Sequence, residues 1–391
     1  MGHTRASLTN PLAPYYSRFR VGERILLTGH SHQAWPDVGF EAQQQAWLDA
    51  AEFVDDKWPR AEAKAAQVRA GFARLLGDVP DHIALGQNTH ELVTRWLSAL
   101  SFRTRRRIVT TDGEFHTIRR QLDRLAQEGI EIVKVPAHPV SDLADRLSRA
   151  VDDTTLAVMM SSVLFQTAEI VPALGSVADA CERHGASFLV DAYHHLNVVP
   201  FDIAAMRLQS AFVTGGGYKY CQLGEGNCFL RVPAGTRMRP VLTGWYAEFE
   251  QLASAHSDVV QYGTGAAAFA GATYDPTSHY RAAAVFEFHT DQRLTPERLR
   301  AISVHQVGVL AASFAALDVN PEVARIVEVS PERRGGFLAI RTARAEQLVR
   351  TLRASAVFAD ARGDILRLGP APYLSDDQLL AGIAALRRYL T

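Results

Sequence analysis

Between about residue 60 and residue 235, segments with apolar side chains at helical spacing alternate with short β-branched runs. That alternation predicts an α/β fold: a mostly parallel central sheet with helices on both faces. Strands are expected at Arg107 to Thr111, Glu131 to Val135, Leu156 to Ser161, Ser187 to Asp191, Ala211 to Thr214 and Asn227 to Val232. Helices are expected at Ala61 to Leu76, Glu91 to Leu100, Thr117 to Glu128, Ser141 to Val151 and Leu174 to His184. Ser141 occupies an N-cap position, and Gly129 and Gly185 end two helices just before the next strand. From about Thr295 the rhythm changes to a long helix reaching Leu317, a strand at Gly336 to Ile340, a helix at Arg344 to Ala354, a strand at Asp364 to Leu368 and a last helix at Asp376 to Tyr389. This is the pattern of a smaller α+β C-terminal domain. Residues 1–50 are read as an N-terminal segment packing with the small domain, 51–295 as the large domain and 296–391 as the small one.

Composition narrows the class. The 391 residues are 47% apolar and 21% charged with a net charge of -1, an ordinary globular balance that recommends neither nucleic acid nor membrane. No window approaches the ~20 apolar residues of a membrane span. Met1 to Tyr16 contains Pro11 and Pro14 and lacks the apolar core of a signal peptide. The three cysteines, Cys181, Cys221 and Cys228, suit neither a disulfide framework nor a zinc site, so a cytoplasmic protein without a metal is expected. The basic run Arg103 to Arg107 reads as a solvated loop.

In an open α/β sheet, ligands bind beyond the carboxyl ends of the strands. Asp112, Ser161, Asp191 and the glycines Gly215, Gly216 and Gly217 all stand where a strand pattern stops. Lys219 follows those glycines between Tyr218 and Tyr220, an apolar setting for an ammonium group. Burial there would lower the amine's pKa and free it to form a Schiff base with an aldehyde. A lysine snorkelling from a strand end fits the same local sequence. Asp191 stands where a carboxylate would keep the pyridinium nitrogen of pyridoxal 5'-phosphate protonated, and where an aspartate would equally form a turn. The two residues together point to that cofactor.

Val190-Asp191-Ala192-Tyr193-His194, Gly217-Tyr218-Lys219-Tyr220 followed by Gly224-Glu225-Gly226, and Thr243-Gly244-Trp245 together resemble kynureninase and its relatives. These are the class V aminotransferase group of fold-type I pyridoxal-phosphate enzymes, and the resemblance runs from about Leu26 to Tyr373. It implies a pyridoxal-phosphate-dependent enzyme whose large domain, 51–295, binds the cofactor. On this pattern Lys219 forms the Schiff base and shuttles protons, Asp191 pairs with the ring nitrogen, and His194 lies near the ring. Phe115 matches the aromatic residue stacked on the ring, with a core phenylalanine as the other reading. The turn carrying Asn88 and Thr89 matches a phosphate cradle at a helix start, a position that either residue would also suit as an N-cap. Tyr218 matches a phosphate-binding tyrosine. Gly271-Ala272-Thr273 resembles the segment that reaches the phosphate from a neighbouring subunit, which implies a homodimer with shared active sites. Arg367 matches the arginine that takes a small amino-acid substrate by its α-carboxylate, a task for a planar bidentate fork. On a strand between leucines it would also suit a surface ion pair. His30, Ser31 and Trp245 complete the residues assigned to the substrate end.

The chain departs from the pattern in places. Gly29-His30-Ser31-His32-Gln33 replaces the Gly-Asn-Ser-Leu-Gly of kynurenine-cleaving relatives, so two imidazoles either face the substrate or form turn hydrogen bonds. Phe53 to Trp58 lacks a histidine that some kynureninases carry there, which weighs against an aryl-ketone side chain. No cysteine follows Cys228, which argues against the cysteine desulfurases of the group. The resemblance thus implies a hydrolase that cleaves the Cβ–Cγ bond of an amino acid and releases alanine. A class V aminotransferase (a transferase), an epimerase and a β-lyase are the alternatives within the same chemistry, and a non-catalytic binding protein of this fold is the alternative outside it.

Overall fold

The computed structural model describes residues 10–252 and 259–390; residues 1–9 of the N-terminal segment, and Thr391, lie outside them. The chain enters through β1 (Ile25–Leu26), α1 (Val38–Phe53) and α2 (Trp58–Leu76). The large sheet is then laid down by β2 (Ile83–Gly86), α3 (Thr89–Ser98), β3 (Arg107–Thr111), α4 (His116–Gln127), β4 (Glu131–Val135), α5 (Leu143–Ala150), β5 (Thr155–Ser161), α6 (Leu174–His184), β6 (Ser187–Asp191), β7 (Phe212–Gly216) and β8 (Cys228–Arg231), and α7 (Thr277–Asp291) follows. Its spatial order is β2-β8-β7-β6-β5-β3-β4. Neighbours from β7 to β4 run parallel, whereas β8 is antiparallel to both β7 and β2.

Both faces of this sheet are covered, which is why its central strands are apolar throughout instead of alternating with polar residues. Side chains still divide by the two-residue period of a strand. Val158, Met160 and Val190 join a core with Phe72, Leu143 and Leu174 on one face, while Ala157, Met159 and Leu189 join Trp96, Ile118 and Leu122 on the other. At the carboxyl edge, Ser161 pairs with Asp191 and Asp191 with Thr214. The ends of β3, β5, β6 and β7 therefore share one rim.

Two local expectations are corrected. Ser141 does not cap α5; it lies inside a 3-10 turn, Val140–Asp142, that leads into the helix. The basic run is not a solvated loop throughout: Arg105 donates to the carbonyls of His184 and Gly185 at the end of α6, and Arg107 donates to Ala150 O and Thr155 Oγ1. Guanidinium groups at a helix end satisfy carbonyls that have no partner within the helix.

The remaining elements are α8 (Pro296–Ala315), β9 (Arg325–Ile326), β10 (Leu338–Arg341), α9 (Ala345–Ala354), β11 (Val357–Phe358), β12 (Asp360–Arg362), β13 (Ile365–Leu368) and α10 (Asp376–Leu390). They build an antiparallel sheet of order β12-β13-β10-β9, and β1 pairs in parallel with β11. Leu12, Tyr16, Leu26 and Leu27 share a core with Leu310, Leu338, Leu366 and Ile383. Helix α1 instead contributes Ala46 to a cluster with Ala61 and Tyr280. Among the described residues, no helix is long and apolar enough to cross a membrane, and no three metal-ligating side chains are grouped to hold a metal ion.

Candidate active site

The turn after β7 carries the chain back across the rim as Gly217-Tyr218-Lys219. Gly216 permits this: a Cβ there would stand 2.4 Å from Tyr193 Oη and 2.5 Å from Cys228 Sγ. Lys219 is only 5% exposed, and its Nζ lies 2.8 Å from His194 Nε2. The rings of Tyr193, Phe115 and Tyr218 have their centroids 4.5, 5.4 and 5.8 Å from that nitrogen. Burial brings the amine from its ordinary 10.5 to about 7, with Asp191 opposing the change and Arg367 reinforcing it. An enclosed amine with a substantial neutral fraction near pH 7 is a competent nucleophile towards an aldehyde.

Asp191 ends β6 and is buried, with one carboxylate oxygen accepting from Tyr193 N at 2.8 Å. Burial raises its pKa, against the pull of the Tyr193 N–H and of Lys219. Such a carboxylate is under-compensated, so a cationic ring nitrogen beside it would be stabilised. His194 is kept neutral by burial and by the charges of Lys219 and Arg367, and its Nδ1 is a buried polar atom without a hydrogen-bond partner. Phe115, half-buried, meets Phe165 edge-on at 5.3 Å. Asn88 caps α3, its Oδ1 accepting from Glu91 N at 2.8 Å, so the helix and its positive end begin at Thr89. The buried carboxylate, the enclosed amine, the unpartnered imidazole nitrogen and the positive end of α3 fit pyridoxal phosphate in chemical type.

Arg367, the expected carboxylate ligand, lies on β13 directly opposite Asp360 on β12. Arg367 is 2% exposed; its Nε and Nη2 donate to the two oxygens of Asp360 at 2.8 and 2.5 Å, and Nη1 donates to Phe165 O at 2.6 Å. It is therefore no surface ion pair. A guanidinium has five N–H donors, so two remain, the number a second carboxylate needs. His30 is fully buried and directs Nε2 at Asp360 Oδ1, 2.7 Å away, so it does not present its imidazole to a ligand directly. His32 stays partly exposed, its ring 6.3 Å from that of Tyr218. Ser31 closes a turn by donating to Thr28 O.

Two expected site residues gather elsewhere. Trp245 is 43% exposed and packs on Tyr246 and Phe249, and Thr273, also exposed, hydrogen-bonds Tyr246. Asp112, another strand-end residue, accepts from Ala137 N. Conversely, Tyr193, Glu114, Phe337, Asp360 and Arg362 were not singled out from the sequence. Glu114 is buried, accepting from Thr111 Oγ1, Ser161 Oγ and Ser161 N at 2.6, 2.6 and 3.1 Å. Burial lifts it to about 7 against those hydrogen bonds, with Asp191 adding to the rise. Its place at a strand end beside Phe115 was a usable signal.

Comparison with known proteins bears on this arrangement. Residues 299–386 match the kynureninase C-terminal domain family. The chain is similar to the uncharacterized aminotransferase YcbU of Bacillus subtilis (strain 168), at 21% identity over 341 residues and 86% of each chain. It is similar to isopenicillin N epimerase of Streptomyces clavuligerus, at 29% identity over 210 residues and 51% of each. Among solved structures, a variant of the cystine C-S lyase C-DES, with glycine covalently linked to its pyridoxal-phosphate cofactor, superposes with a TM-score of 0.84 at 18% identity, covering 96% of this chain and 99% of that one. That likeness establishes the fold. The C-terminal part of the chain thus resembles kynureninase, and the chain as a whole is similar to an aminotransferase relative and has the fold of the solved pyridoxal-phosphate enzyme C-DES.

Proposed function

We propose that the chain is a hydrolase that cleaves the Cβ–Cγ bond of an amino acid and releases alanine. The observation that carries its dependence on pyridoxal phosphate is Lys219, an enclosed amine brought to about 7, ringed by three aromatic side chains and electrostatically coupled to the buried Asp191. The kynureninase family match over residues 299–386 favours hydrolysis among the outcomes such a site permits.

When bound, the cofactor supplies an aldehyde for amines and a ring that takes up the electron pair left when a substrate's α-proton departs. The protein's residues do the rest. Asp191 would hold the proton on the ring nitrogen, and Phe115 would stack on the ring. Asn88, Thr89 and Tyr218 would hold the phosphate, with the Thr273 segment reaching it from the neighbouring subunit of a homodimer. Lys219 accepts the α-proton, and His194, 2.8 Å away, holds or relays a proton at Nζ. Arg367 takes the α-carboxylate with its two remaining N–H groups, Ser31 borders the substrate, and His30 acts through Asp360. Water adds to the substrate's γ-carbonyl; the Cβ–Cγ bond then breaks, Cγ leaves as a carboxylic acid, and Cβ gains the proton that completes alanine. Three buried thiols without a disulfide suit a reducing cytoplasm.

The deciding experiment supplies the purified, cofactor-loaded protein with L-kynurenine or 3-hydroxykynurenine. Hydrolysis gives an anthranilate together with alanine. A keto acid with aminated cofactor would mark an aminotransferase, pyruvate with ammonia a β-lyase, and loss of optical activity an epimerase. These readings stay in view because the relatives include an aminotransferase, an epimerase and a C-S lyase. A colourless protein that never takes up the cofactor would overturn all of them.

A further inference from the structure

His30 sits where kynurenine-cleaving relatives have a different residue, and its surroundings explain what it does. The bridge between Thr28 and Gly369 brings the N-terminal loop onto the end of β13. Gly369 makes the approach possible, since a Cβ there would lie 2.2 Å from His30 Nδ1. The imidazole is thereby wedged against Phe337, with ring centroids 4.5 Å apart, and its Nε2 falls 2.7 Å from Asp360 Oδ1. That oxygen also accepts from Arg367 Nε, and Phe337 lies beneath both His30 and the Arg367 guanidinium, 5.6 Å from its carbon.

The geometry points to His30 as the positioning residue that, through Asp360, fixes Arg367 in the orientation from which its two free N–H groups take a substrate's α-carboxylate. The assignment holds only if Arg367 is the carboxylate ligand. Three constraints act on the Asp360 carboxylate: two N–H groups from Arg367 and one from His30. With only the two from Arg367, the ion pair can pivot about its shared edge. The His30 N–H comes from a third element and removes that freedom, which is how a supporting shell holds a binding group to within the fraction of an ångström recognition needs. His30 can play this part because it is a neutral donor: burial and the Arg367 charge keep its ring at about 4, against the pull of Asp360. A protonated ring would add a second cation to a pair that is already balanced. The nearby Arg362 is a poorer candidate for this role, since its side chain is 41% exposed and 3.6 Å from Asp360 Oδ2.

The test compares two ligands on cofactor-loaded protein, L-alanine and its carboxylate-free analogue ethylamine, each titrated while the cofactor's visible absorbance is followed. The wild type prefers L-alanine. His30→Phe loses that preference by roughly tenfold or more, the worth of a hydrogen bond to a charged group, with ethylamine affinity and cofactor uptake unchanged. His30→Gln, whose amide nitrogen replaces the ring N–H, restores most of the preference, and His30→Asn, too short to reach Asp360, does not. These two variants carry the test if His30→Phe fails to fold. Equal weakening of both ligands, or an L-alanine preference indifferent to all three substitutions, would overturn the role of His30 alone. A wild-type holoprotein that binds both ligands equally would overturn the role of Arg367 and that of His30 with it.

Discussion

Lys219 Nζ and His194 Nε2 lie 2.8 Å apart in a buried site. Both are bases, and both are moved towards neutrality by burial, the imidazole further by the charge of the amine. Two nitrogens at that distance share one proton at most. The pair is thus a place where a proton is held at Nζ or handed on, and its electrostatic strain is relieved when the amine becomes part of a covalent link.

Replacing Lys219 should therefore stabilise the apoprotein while abolishing its chemistry. A folded-state pKa near 7 against an ordinary 10.5 means that folding must strip a proton or bury a charge. That cost is fully present below pH 7 and fades as the pH rises towards 10.5. Lys219→Met keeps the volume and removes the charge, so the gain should be on the order of a few kcal/mol at pH 7 and shrink at pH 10. Denaturant unfolding of the apoprotein at both pH values measures it, and visible absorbance should report no covalently held cofactor. A variant less stable than the wild type at pH 7 would contradict the buried neutral amine.

Asp191→Asn separates attachment from catalysis. The amide is nearly isosteric and can still accept from Tyr193 N, but it offers no charge to a ring nitrogen. Cofactor uptake should persist, and kcat should fall by on the order of 10² or more, the usual effect of removing one electrostatic partner of a transition state. Single-turnover kinetics under saturating substrate provide the measurement, and an unchanged kcat would remove Asp191 from the reaction.

The sequence was most legible where short β-branched runs alternated with helices that carry one apolar face. The strands at Arg107–Thr111, Glu131–Val135 and Ser187–Asp191 and the helix at Leu174–His184 stand as their patterns predict. Helix α7 gave no such signal, because Ser278, His279, Tyr280, Arg281, Ala282, Ala283, Val285, Phe286, Phe288 and His289 are all buried and leave no polar stripe. Helix α1 failed in the other direction: Phe40, Trp47 and Leu48 are exposed, so its apolar residues do not mark one inward face. The same divide runs through the site. Lys219, Asp191, Phe115 and His194 sit at strand ends within short motifs and could be found. Asp360 and Phe337 could not, because their importance comes from partners such as His30 that only tertiary packing brings within reach.

The thiols provide a test against desulfurase chemistry, which needs a reactive cysteine. Cys181, Cys221 and Cys228 are all buried, and burial raises their pKa, to about 12 for Cys181 and Cys228. A thiol reacts as its thiolate. Ellman's reagent should find no fast-reacting thiol in the native protein and three in the denatured one. Iodoacetamide should leave activity intact, and rapid inactivation would reopen that chemistry.

Acid should destabilise the apoprotein well above the range where most carboxylates titrate. Burial holds His30, His195, His279 and His289 at about 4 and His194 well below its ordinary 6.5, so the folded chain keeps five neutral imidazoles at pH 5. The unfolded chain binds protons on each of them below about 6.5. Their contribution to stability is thus present above 6.5 and is lost as the pH falls towards 4. Glu114 acts oppositely, because its raised pKa makes the folded state bind a proton that the unfolded chain gives up between 4.5 and 7. Asp191 and Glu169, raised by burial, act in the same sense as Glu114, and the balance is a net uptake of protons on unfolding near pH 5. Urea unfolding between pH 7 and 5 should show that slope. His289→Gln, which can keep the contact with Gln222, should reduce it by about one proton. A stability profile flat between pH 7 and 5 would mean that these imidazoles are not held neutral.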